Sequence, residues 1–174
     1  MQRLLVALTL CFSLLQTYPA RAAEDLNTMT SAQIEAQAAS LHPSALYVLA
    51  SRLLAEGKGQ EAANWMYVGQ IRYRFLLSAT GADGGNDRAL FSALTEQVER
   101  PVNEYIAGDA DDWVEAMRWA LAWDESHANA LTPKTAHAAE LAEVRRGLSE
   151  LIAQVDTRRE ELRQQRRANG LENR

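Results

Sequence analysis

After residue 30, apolar side chains recur at intervals of three and four and almost never alternate, so the pattern predicts helices throughout and no strands. Thr30, with Gln33 three positions on, reads as a capping box opening a short helix to about Ser40. His42-Pro43 resets the chain. Pro43 suits a first helical turn, and Leu46, Leu49, Ala50, Leu53 and Leu54 then share one face of a helix that Gly57 ends. A third helix, from Gln60 to about Ser78, carries Ala62, Ala63, Trp65, Met66, Gly69, Tyr73 and Leu76 in phase. The three-residue connector Gly57-Lys58-Gly59 forces these two helices into an antiparallel hairpin.

Thr80-Gly81-Ala82-Asp83-Gly84-Gly85-Asn86 is a loop, after which Asp87 can cap a helix bearing Leu90, Phe91, Leu94 and Val98. Pro101 interrupts that pattern, and Val102, Tyr105 and Ile106 continue it as a redirected helix ending at Gly108. Asp109 to Asp112 supply N-caps for a helix with Trp113, Met117, Ala120 and Leu121 in phase and Trp119 and Trp123 one turn apart. A loop over 127–133 precedes a long helix from about Thr135, whose Leu141, Val144, Leu148, Leu151, Val155 and Leu162 fall at heptad-like spacing. Arg158 occupies an apolar position of that repeat, so the seam fades near Val155, the part from about 156 projects, and residues 169–174 form a disordered tail. The expected fold is all-α: a compact helical bundle built on a helical hairpin, with a long C-terminal helix.

The first 22 residues depart from this pattern. Arg3 is followed by an apolar run from Leu4 to Leu15, and Ala20-Arg21-Ala22 reads as a small-residue cleavage site, so residues 1–22 are expected to be a secretory signal peptide and the mature chain periplasmic. The run is too short to span a bilayer as a helix. Removing 22 of 174 residues leaves 152, one helical domain over 23–168 plus the tail. The only cysteine, Cys11, lies in the removed segment, so no disulfide or thiolate site is expected.

The same removal takes Arg3 and Arg21 from the 18 basic residues, so 16 face 23 acids at a net charge of −7. That balance argues against a nucleic-acid ligand. Between Gly81 and Glu125, eleven acids face only Arg88, Arg100 and Arg118, whereas the last twenty residues are rich in arginine. Such segregation usually marks solvated helix faces, and otherwise an acidic surface that steers a basic partner.

Residues 45–74 resemble one unit of the Sel1-like and tetratricopeptide repeats, through Ala45-Leu46-Tyr47-Val48-Leu49-Ala50, Leu53-Leu54-Ala55-Glu56-Gly57-Lys58 and Glu61-Ala62-Ala63-Asn64-Trp65-Met66-Tyr67. The resemblance covers one hairpin, with no second unit at the repeat period. It implies a helical-hairpin element that binds other proteins or peptides.

No catalytic residue is nominated. His42, His127 and His137 form no metal motif, and counting an EF-hand loop from Asp109 puts Trp113, Val114 and Ala120 where ligands and glycine belong. No cofactor is expected. The candidate partner-binding residues are Tyr67, Gln70, Arg72 and Arg74 near the end of the third helix, since Tyr and Arg dominate interface hot spots. Trp119 and Trp123 join them, because one helix cannot bury Trp113, Trp119 and Trp123 on a single stripe. Asp109, Asp111 and Asp112 complete the set as the acidic cluster, or as helix caps.

The expected function is a periplasmic, non-enzymatic protein-binding module, most concretely an immunity or inhibitor protein that neutralises a toxin delivered to the periplasm. Its partner would be a basic toxin or an envelope protein, with no membrane insertion of the mature chain. A cell-envelope enzyme acting through the acidic residues, and a structural subunit or homodimer joined by the charged C-terminal helix, are the alternatives.

Overall fold

Leu46, Leu49, Ala50 and Leu53 all lie on the inner face of α2 (Ser44–Ala55), where each is at most 1% exposed against α3 (Gly59–Thr80). Burying each leucine contributes about 1.5–3 kcal/mol, so this stripe alone drives the pairing. Gly57 turns the chain between them at φ +77°, a conformation costly for any residue with a Cβ, while its N–H and that of Lys58 satisfy the last carbonyls of α2. At Gly69 the helices meet so closely that a Cβ would sit 3.0 Å from the Tyr47 ring.

The computed structural model describes residues 26–81 and 85–174, and no strand occurs among them. The expected signal peptide lies outside the described residues, as do 82–84 of the loop expected over 80–86, whose Thr80, Gly85 and Asn86 are helical. No helix among those described is long and apolar enough to cross a membrane. The architecture is all-α, a bundle in which α3 is the central helix, packed against α2, α5 (Arg100–Ile106), α6 (Ala110–Ser126) and α7 (Ala138–Thr157). In front of the hairpin stands α1 (Ser31–Gln37), whose capping box is formed: the Thr30 N–H donates to Gln33 Oε1 at 2.8 Å and the Gln33 N–H to Thr30 Oγ1 at 3.2 Å.

The helical run is unbroken at Pro101. The helix α4 (Gly85–Leu94) runs through a π-helical turn at Thr95–Glu99 into α5, with Pro101 in the first turn of the latter. Proline lacks an N–H and its ring displaces the carbonyl four residues back, and the chain accommodates this by widening the preceding turn: the Arg100 N–H bonds the Thr95 carbonyl, five back. The wide turn brings both Val98 and Glu99 inward.

Arg158 ends α7, and a separate helix α8 (Arg159–Ala168) follows. The stretch from about 156, expected to project and to end in a tail at 169–174, makes contacts with the bundle. Arg159 bonds both Asp111 and Asp156, and the Arg174 N–H donates to the Gly108 carbonyl at 2.8 Å. The Arg174 guanidinium covers the Tyr105 ring at 4.0 Å and reaches Asp112 at 3.2 Å. The acid-rich start of α6 therefore draws the arginine-rich end of the chain onto itself.

Candidate functional site

The nine residues singled out from the sequence do not form one surface. Asp109 caps α6, its Oδ1 accepting from the backbone N–H groups of Asp111 at 2.8 Å and Asp112 at 3.2 Å. Asp111 and Asp112 are paired with Arg159 and Arg174. Trp119 and Trp123 are half-buried, each edge-on to Trp65 at 5.3 and 5.2 Å, and the His127 ring stacks on Trp123 at 4.1 Å. Tyr67 and Arg72 are 1% exposed and Gln70 is 9% exposed, so three of the four residues proposed for an interface on α3 belong to the interior; only Arg74 is exposed. α3 is packed against α2, α5, α6 and α7, which leaves Arg74 as the one of the four on a solvent-facing position.

Arg72 belongs to a buried ion cluster. Asp124, also 1% exposed, receives Arg72 Nε at 3.6 Å, Arg145 Nη1 at 2.9 Å and Lys134 Nζ at 3.4 Å. The remaining Arg72 donors go to the carbonyls of Ala38 at 3.1 Å and Ala128 at 2.8 Å, and the guanidinium lies 4.7 Å over the Trp123 ring. Burial pulls the Arg72 guanidinium down from its ordinary value and the Asp124 carboxylate pulls it back up. The cluster ties α3, α6, α7 and the segment between α6 and α7 together.

A different arrangement lies on the opposite side of Tyr67. A cavity of about 480 Å³ opens between α3, the π turn with α5, and α7, with Trp113 of α6 on its wall. Its floor is polar and ordered: the Trp113 indole N–H donates to the Tyr67 hydroxyl at 2.5 Å, which donates to Asn103 Oδ1 at 2.8 Å. Beside them Glu99 Oε1 accepts from the Gln70 amide at 2.6 Å, while its Oε2 takes longer contacts from Tyr47 at 3.5 Å and Thr95 at 3.4 Å. Along α7 the lining is Val144, Leu148 and Leu151, and Arg74 and Glu143 stand on its edges.

Glu99 is 9% exposed, and burial raises its carboxyl above the ordinary range against the opposing pull of the Arg74 charge and the three hydrogen bonds. Burial likewise raises the Tyr47 and Tyr67 hydroxyls, so both stay neutral donors. Among the described residues no cation lies within ion-pair distance of Glu99. A pocket with a few converging polar groups and one perturbed acid is the arrangement that binding sites use. The arrangement can accept hydrogen bonds from, or neutralise, a donor group that enters along an apolar wall.

Sequence reading missed Glu99, Asn103 and Trp113 as site residues. A signal was present for the first: Glu99 stands three and seven residues before Val102 and Ile106, on their apolar stripe. Among the described residues no group of three His, Cys, Asp or Glu side chains converges as metal ligands would. Comparisons with protein-family models, with curated proteins and with solved structures return no match to this chain.

Proposed function

We propose that the protein is an exported, non-enzymatic binding module whose recognition element is the cleft between α3, α5 and α7. The observation that carries this reading is the cleft's construction: an aromatic and amide floor fixed by its own hydrogen bonds, an aliphatic wall, and a desolvated carboxylate that makes no ion pair among the described residues. Such a floor is preorganised, so little ordering has to occur on binding. The resemblance of residues 45–74 to protein-binding helical repeats, the signal-like segment 1–22 and the acidic balance support a protein partner outside the cytoplasm. In its most concrete form the protein is a periplasmic immunity or inhibitor protein, and the partner a basic toxin.

Gly147→Phe tests this reading. A Cβ at Gly147, which lines the cleft, would meet nothing within 4 Å, so a large side chain can fill the cleft without disturbing α7. A strain lacking the gene, challenged by toxin-delivering neighbours, is expected to be protected by the wild-type chain and not by G147F at equal thermal stability. Equal protection by both, or no sensitivity of the deletion strain, overturns the reading.

One observation favours the second reading, an envelope enzyme: Glu99 and Glu143 line the same cleft, one buried and one exposed, the asymmetry that separates an acid from a base. Release of soluble fragments from purified cell-wall material, lost in both E99Q and E143Q, would establish it in place of the binder.

A further inference from the structure

We propose that the cleft seats a primary alkylammonium group, presented as a lysine side chain of the protein partner. The proposal rests on the cleft reading and names what enters. Its first ground is the charge ledger of the interior. Buried ions in folded proteins are paired. Asp124 obeys this with three cations inside 4 Å, whereas Glu99, 9% exposed, has hydrogen-bond donors but no ion pair. The nearest candidate, Arg74, sits on the same cleft yet its guanidinium stands over the Phe91 ring at 5.9 Å and makes no ion pair with Glu99. The Arg74 charge thus acts on Glu99 without pairing with it, and the ion-pairing position beside the carboxylate is open to a cation that enters the cavity.

The second ground is the shape and polarity of that approach. The wall leading to Glu99 is aliphatic, made by Ile71, Val144, Leu148 and Leu151, which suits a methylene stem with a charged tip. In the middle of this wall stands Gly147, the residue type that weakens a helix interior most after proline. Nothing in the fold requires it there: its backbone is ordinary helix, and no atom lies within 4 Å of where a Cβ would be. Its effect is to leave the backbone of α7 bare beside Val144 and Leu148, where a stem can lie.

The third ground separates lysine from arginine. A guanidinium binds a carboxylate best through both oxygens at once, but Glu99 Oε1 is already taken by Gln70 at 2.6 Å. A compact ammonium needs one oxygen and can share its other donors with the Asn103 and Tyr67 oxygens on the same floor. Glu143 on the edge is already paired with Arg146, which leaves Glu99 as the carboxylate that meets the ammonium.

The test uses ¹⁵N-labelled purified protein and reads the Trp113 indole N–H and the Gly147 amide, both in the cleft. The probes are N-acetyl-lysine methylamide, its norleucine counterpart, which has the same stem without the charge, and n-butylammonium. The lysine probe is expected to move both resonances and norleucine to leave them in place at the same concentration. Glu99→Gln is expected to weaken the lysine probe by about tenfold or more, the loss of a charge-assisted contact. Glu99→Asp, which keeps the charge with a shorter reach, should fall between, and G147L should abolish binding, with unfolding temperatures confirming each fold. Equal binding of lysine and norleucine, or lysine binding to E99Q within about twofold of wild type, overturns the ammonium assignment. Binding of butylammonium without the peptide-embedded lysine overturns the protein source. Each of these results leaves the G147F protection result untouched, so the failure of this inference and the failure of the cleft reading are separable.

Discussion

Removing the Asp124 carboxylate is the perturbation whose size the structure fixes best. Its side chain and that of Arg72 are each 1% exposed, and three cations converge on it at 2.9, 3.4 and 3.6 Å. In Asp124→Ala the three positive groups face one another around a vacated point. Arg145 and Lys134 are 25% and 22% exposed and can turn toward water, but Arg72 is anchored to the carbonyls of Ala38 and Ala128 and cannot. Leaving one buried charge without its partner costs about 3–5 kcal/mol. For a chain of this size that corresponds to a fall in unfolding temperature of roughly 10–15 °C.

Arg72→Met should cost less than the aspartate change. Asp124 then keeps Arg145 and Lys134, and the loss is mainly the donor to the buried Ala38 carbonyl, about 1–3 kcal/mol. The double variant should be more stable than the sum of the singles predicts by about 1–3 kcal/mol, because methionine removes the stranded charge. Urea unfolding followed by circular dichroism at 222 nm measures all three. An Asp124→Ala cost below about 1 kcal/mol, or strict additivity in the cycle, refutes the staple argument.

Glu99→Gln should change how stability depends on pH: the folded state holds the Glu99 proton more tightly than the unfolded state, so wild-type stability declines as pH rises above the ordinary value of 4.5 toward the raised folded value, and E99Q lacks that decline. The groups facing Glu99 are Tyr47 and Tyr67, kept neutral by burial, Glu143, held below its ordinary value by the Arg146 hydrogen bond, and Arg74; urea midpoints between pH 4 and 8 that run parallel for the two proteins would count against the assignment. Gly69→Ala should destabilise by about 1–3 kcal/mol in the same assay, since its Cβ would press the Tyr47 ring at 3.0 Å and Leu46 Cβ at 3.2 Å; a neutral result would mean α2 and α3 can part at no cost. Asp109→Ala removes the acceptor for two N–H groups at the start of α6 and should cost about 0.5–2 kcal/mol, with Asp109→Asn retaining most of the stability in thermal unfolding.

The helices were legible because their apolar period is strong, as in the Leu46, Leu49 and Leu53 stripe, and because their ends carry explicit chemistry at Thr30, Gly57 and Asp109. The π turn was not, since Pro101 predicts disruption at its own position, while the chain widens the turn before it. Docking of the C-terminal segment was also hidden: charge segregation signals attraction between Asp111 or Asp112 and the terminal arginines, but not which arginine reaches which acid.

The site itself turns on three charged residues that share one signature, a charge set on an apolar stripe. Arg72 lies three residues past Gly69 and four before Leu76, Asp124 four past Ala120, and Glu99 three before Val102. Periodicity alone says that each is carried inward, which is why Arg72 belongs to the interior and not to an interface. It does not say what each does there, because that depends on what other helices bring to the same point. Asp124 meets three cations from α3, α7 and the segment before it, and the result is a staple. Glu99 meets an amide, hydroxyls and an open cavity but no ion-pair partner, so the same local pattern leaves a carboxylate unpaired beside a cavity. Whether a charge carried inward ends in an ion cluster or unpaired beside a cavity is thus a tertiary property.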